Sequence, residues 1–191
     1  MFRFSRPPAE QIRRFLAAQK SESLSYPEAG ASRAGSPPGY TVDHHRFYLG
    51  EGQAVFDSAC LALRRWSMFE LGWVQLLHPE TAPEVGATVG ILVRHFGFFS
   101  LNAARVVYII DAEEGAIRTF GFAYGTLPAH AECGEERFSV EWNLASGAVH
   151  YDLLAFSRPA HPLARLGYPL ARNLQKRFAR DSGRAMIRAV R

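Results

Sequence analysis

Tyr124, His130, Glu132, Glu135 and Glu136 fall within one short stretch, GFAYGTLPAHAECGEERFSV, running from Gly121 to Val140. A phenol, an imidazole and three carboxyls at this density form acid/base pairs if the chain brings them together, because unequal environments separate their pKa values. The intervening Gly-Thr-Leu-Pro is turn chemistry: Gly125 is read as supplying an unusual backbone angle and Pro128 as stiffening the loop. The same side chains serve equally well as a hydrogen-bonded structural loop, the glutamates capping amides and pairing with Arg137 or Arg158. Both readings need the same proximity. Tyr124 ends one predicted strand, Glu136 opens the next and Arg158 follows a third, so an antiparallel meander carries all three to one sheet edge. The candidate ligand-binding set is therefore Tyr124, Thr126, His130, Glu132, Glu136 and Arg158.

Other motifs carry less. Gly50-Glu51-Gly52 between a strand and a helix has the first two glycines of a dinucleotide fingerprint, but Val55 stands where the third belongs. Asp43-His44-His45 lies on a predicted strand, where neighbouring side chains face opposite ways, so one ion is poorly served by both imidazoles. His130-Ala131-Glu132-Cys133 lacks the Pro-Cys-x-x-Cys partner of a zinc deaminase. Neither metal nor cofactor is expected.

The elements that must position the loop read clearly. An amphipathic helix is predicted over Pro8–Lys20, with Ile12, Phe15, Leu16 and Gln19 on one side. A Ser/Pro/Gly-rich loop follows over Ser21–Gly39, anchored by Leu24 and Tyr26. Strand residues Asp43–Leu49 lead into a helix carrying Phe56, Ala59, Cys60, Leu63 and Trp66. Strands are then predicted over Glu70–Leu77, Thr88–His95, Ala104–Ile110, Ala116–Tyr124, Arg137–Trp142 and Ala148–Phe156, separated by hairpin-length turns. A long helix is expected over Pro162–Val190, kinked or split at Pro169. Leu163, Leu170, Ala171, Leu174, Phe178, Ala185 and Ala189 would face the sheet, and Arg165, Arg172, Lys176, Arg180 and Arg184 the solvent. This order is α+β: a curved antiparallel sheet wrapped round one long C-terminal helix, the helix-grip arrangement, with an N-terminal helical arm. The expected division is an arm over 1–39 and the helix-grip domain over 40–191.

Composition sets outer bounds. Apolar residues make up 48% of the chain, ample for a packed core. No apolar run approaches membrane-helix length, and MFRFSRPPAEQ lacks the apolar segment of a signal peptide. Two cysteines, Cys60 and Cys133, fit a reducing cytoplasm. From Arg158 onward, nine basic residues face the single acid Asp181, whereas thirteen basic and seventeen acidic residues precede it. That asymmetry suits either an anionic partner or a solvated helix face.

LSYPEAGAS (Leu24–Ser32), PGY (Pro38–Tyr40), LGEGQAVFDSACLALRRW (Leu49–Trp66), YGTLPAH (Tyr124–His130), GEERF (Gly134–Phe138) and FSRP (Phe156–Pro159) together resemble uncharacterised protein family zero-five-four-eight of bacteria and plants. The likeness covers nearly the whole chain. It departs at Ala129 and Ala131, where the family writes glycine and proline, which relaxes the turn but keeps its polar groups. The family is similar to the START-like and pollen-allergen-like helix-grip superfamily. The resemblance thus implies a ligand cavity between sheet and long helix, without supplying a reaction or catalytic residues. The reading is a cytoplasmic binder of a small hydrophobic or amphipathic ligand. Its alternatives are an enzyme of the same fold using the YGTLPAH/GEE loop, and a nucleic-acid or anionic-membrane binder acting through the basic helix. Of these partners, nucleic acid is the less expected, and homo-oligomerisation is compatible with all three.

Overall fold

The computed structural model describes residues 2–77, 82–160 and 168–191. Eight strands form one antiparallel sheet: β1 (Phe2–Arg3), β2 (Thr41–Glu51), β3 (Val74–Leu77), β4 (Thr88–His95), β5 (Phe98–Glu114), β6 (Ile117–Thr126), β7 (Glu132–Asn143) and β8 (Ala148–Pro159). The order across the sheet is β2-β8-β7-β6-β5-β4-β3. The last five strands thus form a meander from β4 to β8, closed at one edge by β2 and at the other by β3. β5 is far longer than the Ala104–Ile110 run predicts, because its first residues pair with β4 while β6 begins pairing only at Ala104. β1 pairs with Arg3↔Phe99 and Phe2↔Ser100, on this early part of β5.

Among the described residues, three α-helices complete the fold: α1 (Ala9–Gln19), α2 (Gln53–Arg64) and α3 (Tyr168–Ala189). The concave face of the sheet holds the main core. Trp66, Phe122, Phe138, Val140, Tyr151 and Met186 are fully buried there. A 3-10 turn at Ser67–Phe69 comes just before the predicted strand Glu70–Leu77, and strand structure begins only at Val74. The turn delivers Phe69 into the aromatic cluster, with ring centroids 5.3 Å from Phe178 and 5.7 Å from Phe138. The convex face carries α1, whose Ile12 and Leu16 pack on Leu77, Leu92 and Leu101. This is a helix-grip α+β fold with an N-terminal helical arm, as the sequence order implies.

The expected face of α3 holds in part: Phe178 packs against the main core and Ala185 is buried. Leu170 is 43% exposed and Ala189 is exposed, whereas Ala179, Ser182, Gly183, Ala185 and Met186 form the buried line. A Cβ at Gly183 would lie 2.5 Å from the Phe47 ring, so small residues let the helix approach β2 more closely than large apolar ones allow. Arg172 is not a solvent-side residue: it turns inward and forms a two-pronged ion pair with Asp43 of β2. Lys176, Arg180 and Arg184 are exposed as expected. Pro169 sits in the first described turn of α3, where a missing amide costs little. Pro162, Leu163 and Arg165 lie outside the described residues. No helix among the described residues is long and apolar enough to cross a membrane.

Candidate functional site

Glu135 and Glu136 are adjacent on β7 and therefore point through opposite faces of the sheet. That alternation sorts the whole signature loop into an inner and an outer set. Tyr124 of β6 is opposite Glu136, and Ala155 of β8 and Asp43 of β2 continue the same row. Small Ala155 separates the two acids in this row.

The Tyr124 hydroxyl donates to Glu136 Oε2 at 2.6 Å. Burial pushes the Glu136 carboxyl up to about 7, against the stabilising phenol hydrogen bond and with a further push from the nearby Asp43 charge. Burial likewise raises the Tyr124 phenol well above its ordinary value. Glu132 is on the same side of β7. Its carboxyl is also raised by burial, opposed by the Arg172 charge and by a hydrogen bond from Ser157. Glu132 Oε2 is buried without a hydrogen-bond partner among the described residues. α3 closes this row from above: Arg172 also donates to Gln175 Oε1 (2.6 Å), and Gln175 Nε2 donates to Ser157 Oγ (3.0 Å). Deeper in, Tyr151 and Ser182 share a hydroxyl–hydroxyl bond at 2.8 Å.

The other predicted site residues are placed differently. Thr126 is buried and consumed by internal bonds: its Oγ1 accepts from Gly134 N–H (2.9 Å) and lies 2.6 Å from Ser25 Oγ. The hydrogen bonds of His130 stay within its own turn. Its Nδ1 lies 3.0 Å from the backbone N–H and 3.1 Å from the backbone carbonyl of Glu132. Burial pulls the imidazole down to about 4, so it is neutral at physiological pH. Arg158 is on the outer face, one position after inward-facing Ser157, with its guanidinium 4.6 Å from the centroid of the Tyr40 ring. A counter-charge role toward Glu132 or Glu136 is not what this placement provides: the sheet itself lies between them.

The outer set has its own logic. Glu135, 2% exposed, accepts from Tyr26 Oη (2.5 Å), Gly30 N–H (2.7 Å), Ser32 N–H (3.0 Å) and Ser32 Oγ. This carboxylate fastens the loop after α1 to the sheet. Gly125 has no unusual backbone angle. It is required instead because a Cβ there would lie 2.3 Å from Tyr26 Oη.

Tyr124, Glu132 and Glu136 are thus brought together, and Thr126, His130 and Arg158 are not. Sequence reasoning missed Asp43, Arg172, Gln175 and Ser157 as neighbours of the acids. Alternation along β7 and β8 carries a signal for Ser157, but nothing local in sequence joins Asp43 to a residue of α3.

Residues 25–185 match the domain of unknown function DUF1990. The chain is 38% identical over 208 residues to a UPF0548 protein of Dictyostelium discoideum, covering all of this chain and 96% of the other. It is 40% identical over 202 residues to a UPF0548 protein of Deinococcus radiodurans, covering all of this chain and 99% of that one. Among solved structures, the hypothetical protein jhp0584 from Helicobacter pylori superposes with a TM-score of 0.51 at 13% identity, over 88% of this chain and 96% of that chain, which shows a shared fold. With a fold, a domain match and full-length relatives in agreement, this chain belongs to the UPF0548 (DUF1990) family.

Proposed function

We propose that the protein binds a small, largely apolar ligand within the grip, with a hydrogen-bond-donating head group on Glu132, Glu136 and Tyr124. The observation that carries this reading is the buried, unpartnered Oε2 of Glu132 beside the Glu136–Tyr124 pair. A buried acceptor without a donor costs free energy, which a donating ligand group would recover. The surrounding aromatic rings of Phe69, Phe138 and Phe178 offer apolar contact to the ligand body. With Arg172 already paired to Asp43 and Arg158 on the outer face, the inward face favours a hydroxyl or amine over an anion. Two unpaired cysteines are consistent with the cytoplasm as its compartment.

Native mass spectrometry of the purified protein tests the reading. The expected result is a retained small molecule whose occupancy falls in Glu132→Gln and Glu136→Gln while both variants stay folded. Unchanged retention in both would overturn it. A second reading, proton transfer by the same pair, draws on a Glu136 carboxyl near 7 hydrogen-bonded to a phenol. It predicts chemical conversion, rather than mere release, of the ligand so identified.

A further inference from the structure

The β4–β5 turn carries a residue that its backbone disfavours. His95 pairs with Phe98 across it, which makes Phe96-Gly97 a two-residue hairpin loop. Both residues have positive φ, 46° and 78°. The first position of such a turn favours Asn, Asp or Gly, and a bulky residue there is strained. A phenylalanine occupies it nonetheless, 68% exposed. It serves neither the turn nor the core, and strain of this kind gathers where a partner is met.

Phe96 has company. Phe98 is 37% exposed and Phe4, just past β1, is 83% exposed, with their ring centroids 4.7 Å apart. Arg3 is opposite Phe99, and continuing that register sets Phe4 beside Phe98. Three phenylalanine rings thus reach solvent at one end of the sheet. Cations flank them on both of its faces. Alternation along β4 puts Arg94 on the α1 side, in a hollow with Arg6, Leu92 and Phe99. Arg6 donates to the neutral Gln75 side chain at 2.8 Å, and neither arginine forms an ion pair among the described residues. On the opposite face, Arg177 of α3 borders Phe96 and Gly97. Its acid, Asp181, is shared with Arg180 and Arg184, so three guanidinium groups face one carboxylate. Residues 2–8 and 94–100 contain no acid.

The sheet stands between Arg94 and Arg177, so no small anion reaches both. A broad anionic surface met end-on reaches both faces at once, while the rings between them enter its apolar layer. We propose that this end of the sheet docks the protein on an anionic lipid bilayer, with Phe4, Phe96 and Phe98 inserted at the interface and Arg6, Arg94 and Arg177 against the head groups. Apolar insertion and attraction of basic residues to anionic lipid add in such a contact.

Co-sedimentation of the full chain with vesicles of equimolar phosphatidylcholine and phosphatidylglycerol, against phosphatidylcholine alone, is the test. Binding is expected to the mixed vesicles and should weaken as salt is added. Arg94→Gln should weaken it about fivefold, the contribution of one basic residue near an anionic surface. Phe96→Asn should weaken it about tenfold, as for loss of an inserted ring, without lowering Tm, because asparagine suits the turn that phenylalanine strains. No binding to the mixed vesicles, equal binding to phosphatidylcholine alone, unchanged binding in either variant, or a lowered Tm in Phe96→Asn would each overturn the proposal. Loss of binding in Lys176→Gln with both tip variants unaffected would move the contact to the exposed side of α3. If Phe96→Asn reduces self-association in sedimentation velocity and leaves vesicle binding intact, the patch is an interface between copies of the chain. Loss of vesicle binding in Glu136→Gln alone would trace the lipid to the grip and exclude the tip.

Discussion

At the residue scale, burial pushes Glu136 and His130 in opposite directions, and the pair gives the protein an unusual pH signature. The Glu136 carboxyl moves from 4.5 when unfolded to about 7 when folded. Its raised folded value stabilises the protein fully below 4.5, and that stabilisation is lost as pH rises to 7. The His130 imidazole moves from 6.5 down to about 4. Its contribution is present above 6.5 and is lost as pH falls toward 4. The two slopes oppose each other between about 4.5 and 6.5, so stability should be nearly flat there. Denaturant melts of Glu136→Gln should unmask a stability that rises with pH across that window. His130→Asn should show the reverse, with changes on the order of 1–3 kcal/mol. Flat profiles in both variants would mean that neither group is buried in the ionisation state assigned to it.

At the scale of elements, α3 shows how far periodicity carries and where it stops. Apolar periodicity finds the helix and places Phe178 and Ala185 inward, but it misplaces Leu170 and Ala189 and overlooks the close approach at Gly183. Gly183 lies against the Phe47 ring and Met186 is fully buried, whereas Leu170 is largely in solvent. Gly183→Ala should therefore destabilise by about 1–3 kcal/mol through overpacking, despite alanine's better helix propensity. Met186→Ala should cost about 2–5 kcal/mol and Leu170→Ala under about 0.5 kcal/mol. Chemical denaturation of the three variants checks the order; a larger loss at Leu170 than at Met186 would restore the sequence-based face. The strands were more legible than the helix. Thr88–His95 coincides with β4, since alternation and turn residues are local signals. The early part of β5 was not legible, because it is defined by its partners β4 and β1 rather than by its own residues.

At the scale of the whole molecule, the sequence disclosed the meander and the curled sheet, and with them the meeting of Tyr124 and Glu136. It did not disclose which face each side chain takes once a strand is entered, and the site split along that line: Arg158 went outward, and Arg172, read as solvent-facing, went inward. Long-range pairs such as Asp43–Arg172 leave no local trace. The arm depends on Glu135 in the same non-local way. Glu135→Ala would strand the Tyr26 hydroxyl and two backbone amides, and should cost about 3–5 kcal/mol with increased proteolysis between Glu22 and Gly35. Limited digestion showing no change at that loop would remove the fastening role.

Glu135 and Glu136 are consecutive residues of one strand, so a ligand that shifts the backbone at Glu136 would also shift Glu135. Occupation of the interior is therefore readable from outside: amide hydrogen exchange at Gly30 and Ser32, whose N–H groups hang on Glu135, should change when a ligand settles against Glu136. The bound state would then be reported on the far face of the sheet, at amides held beneath the arm, without rearrangement of the fold.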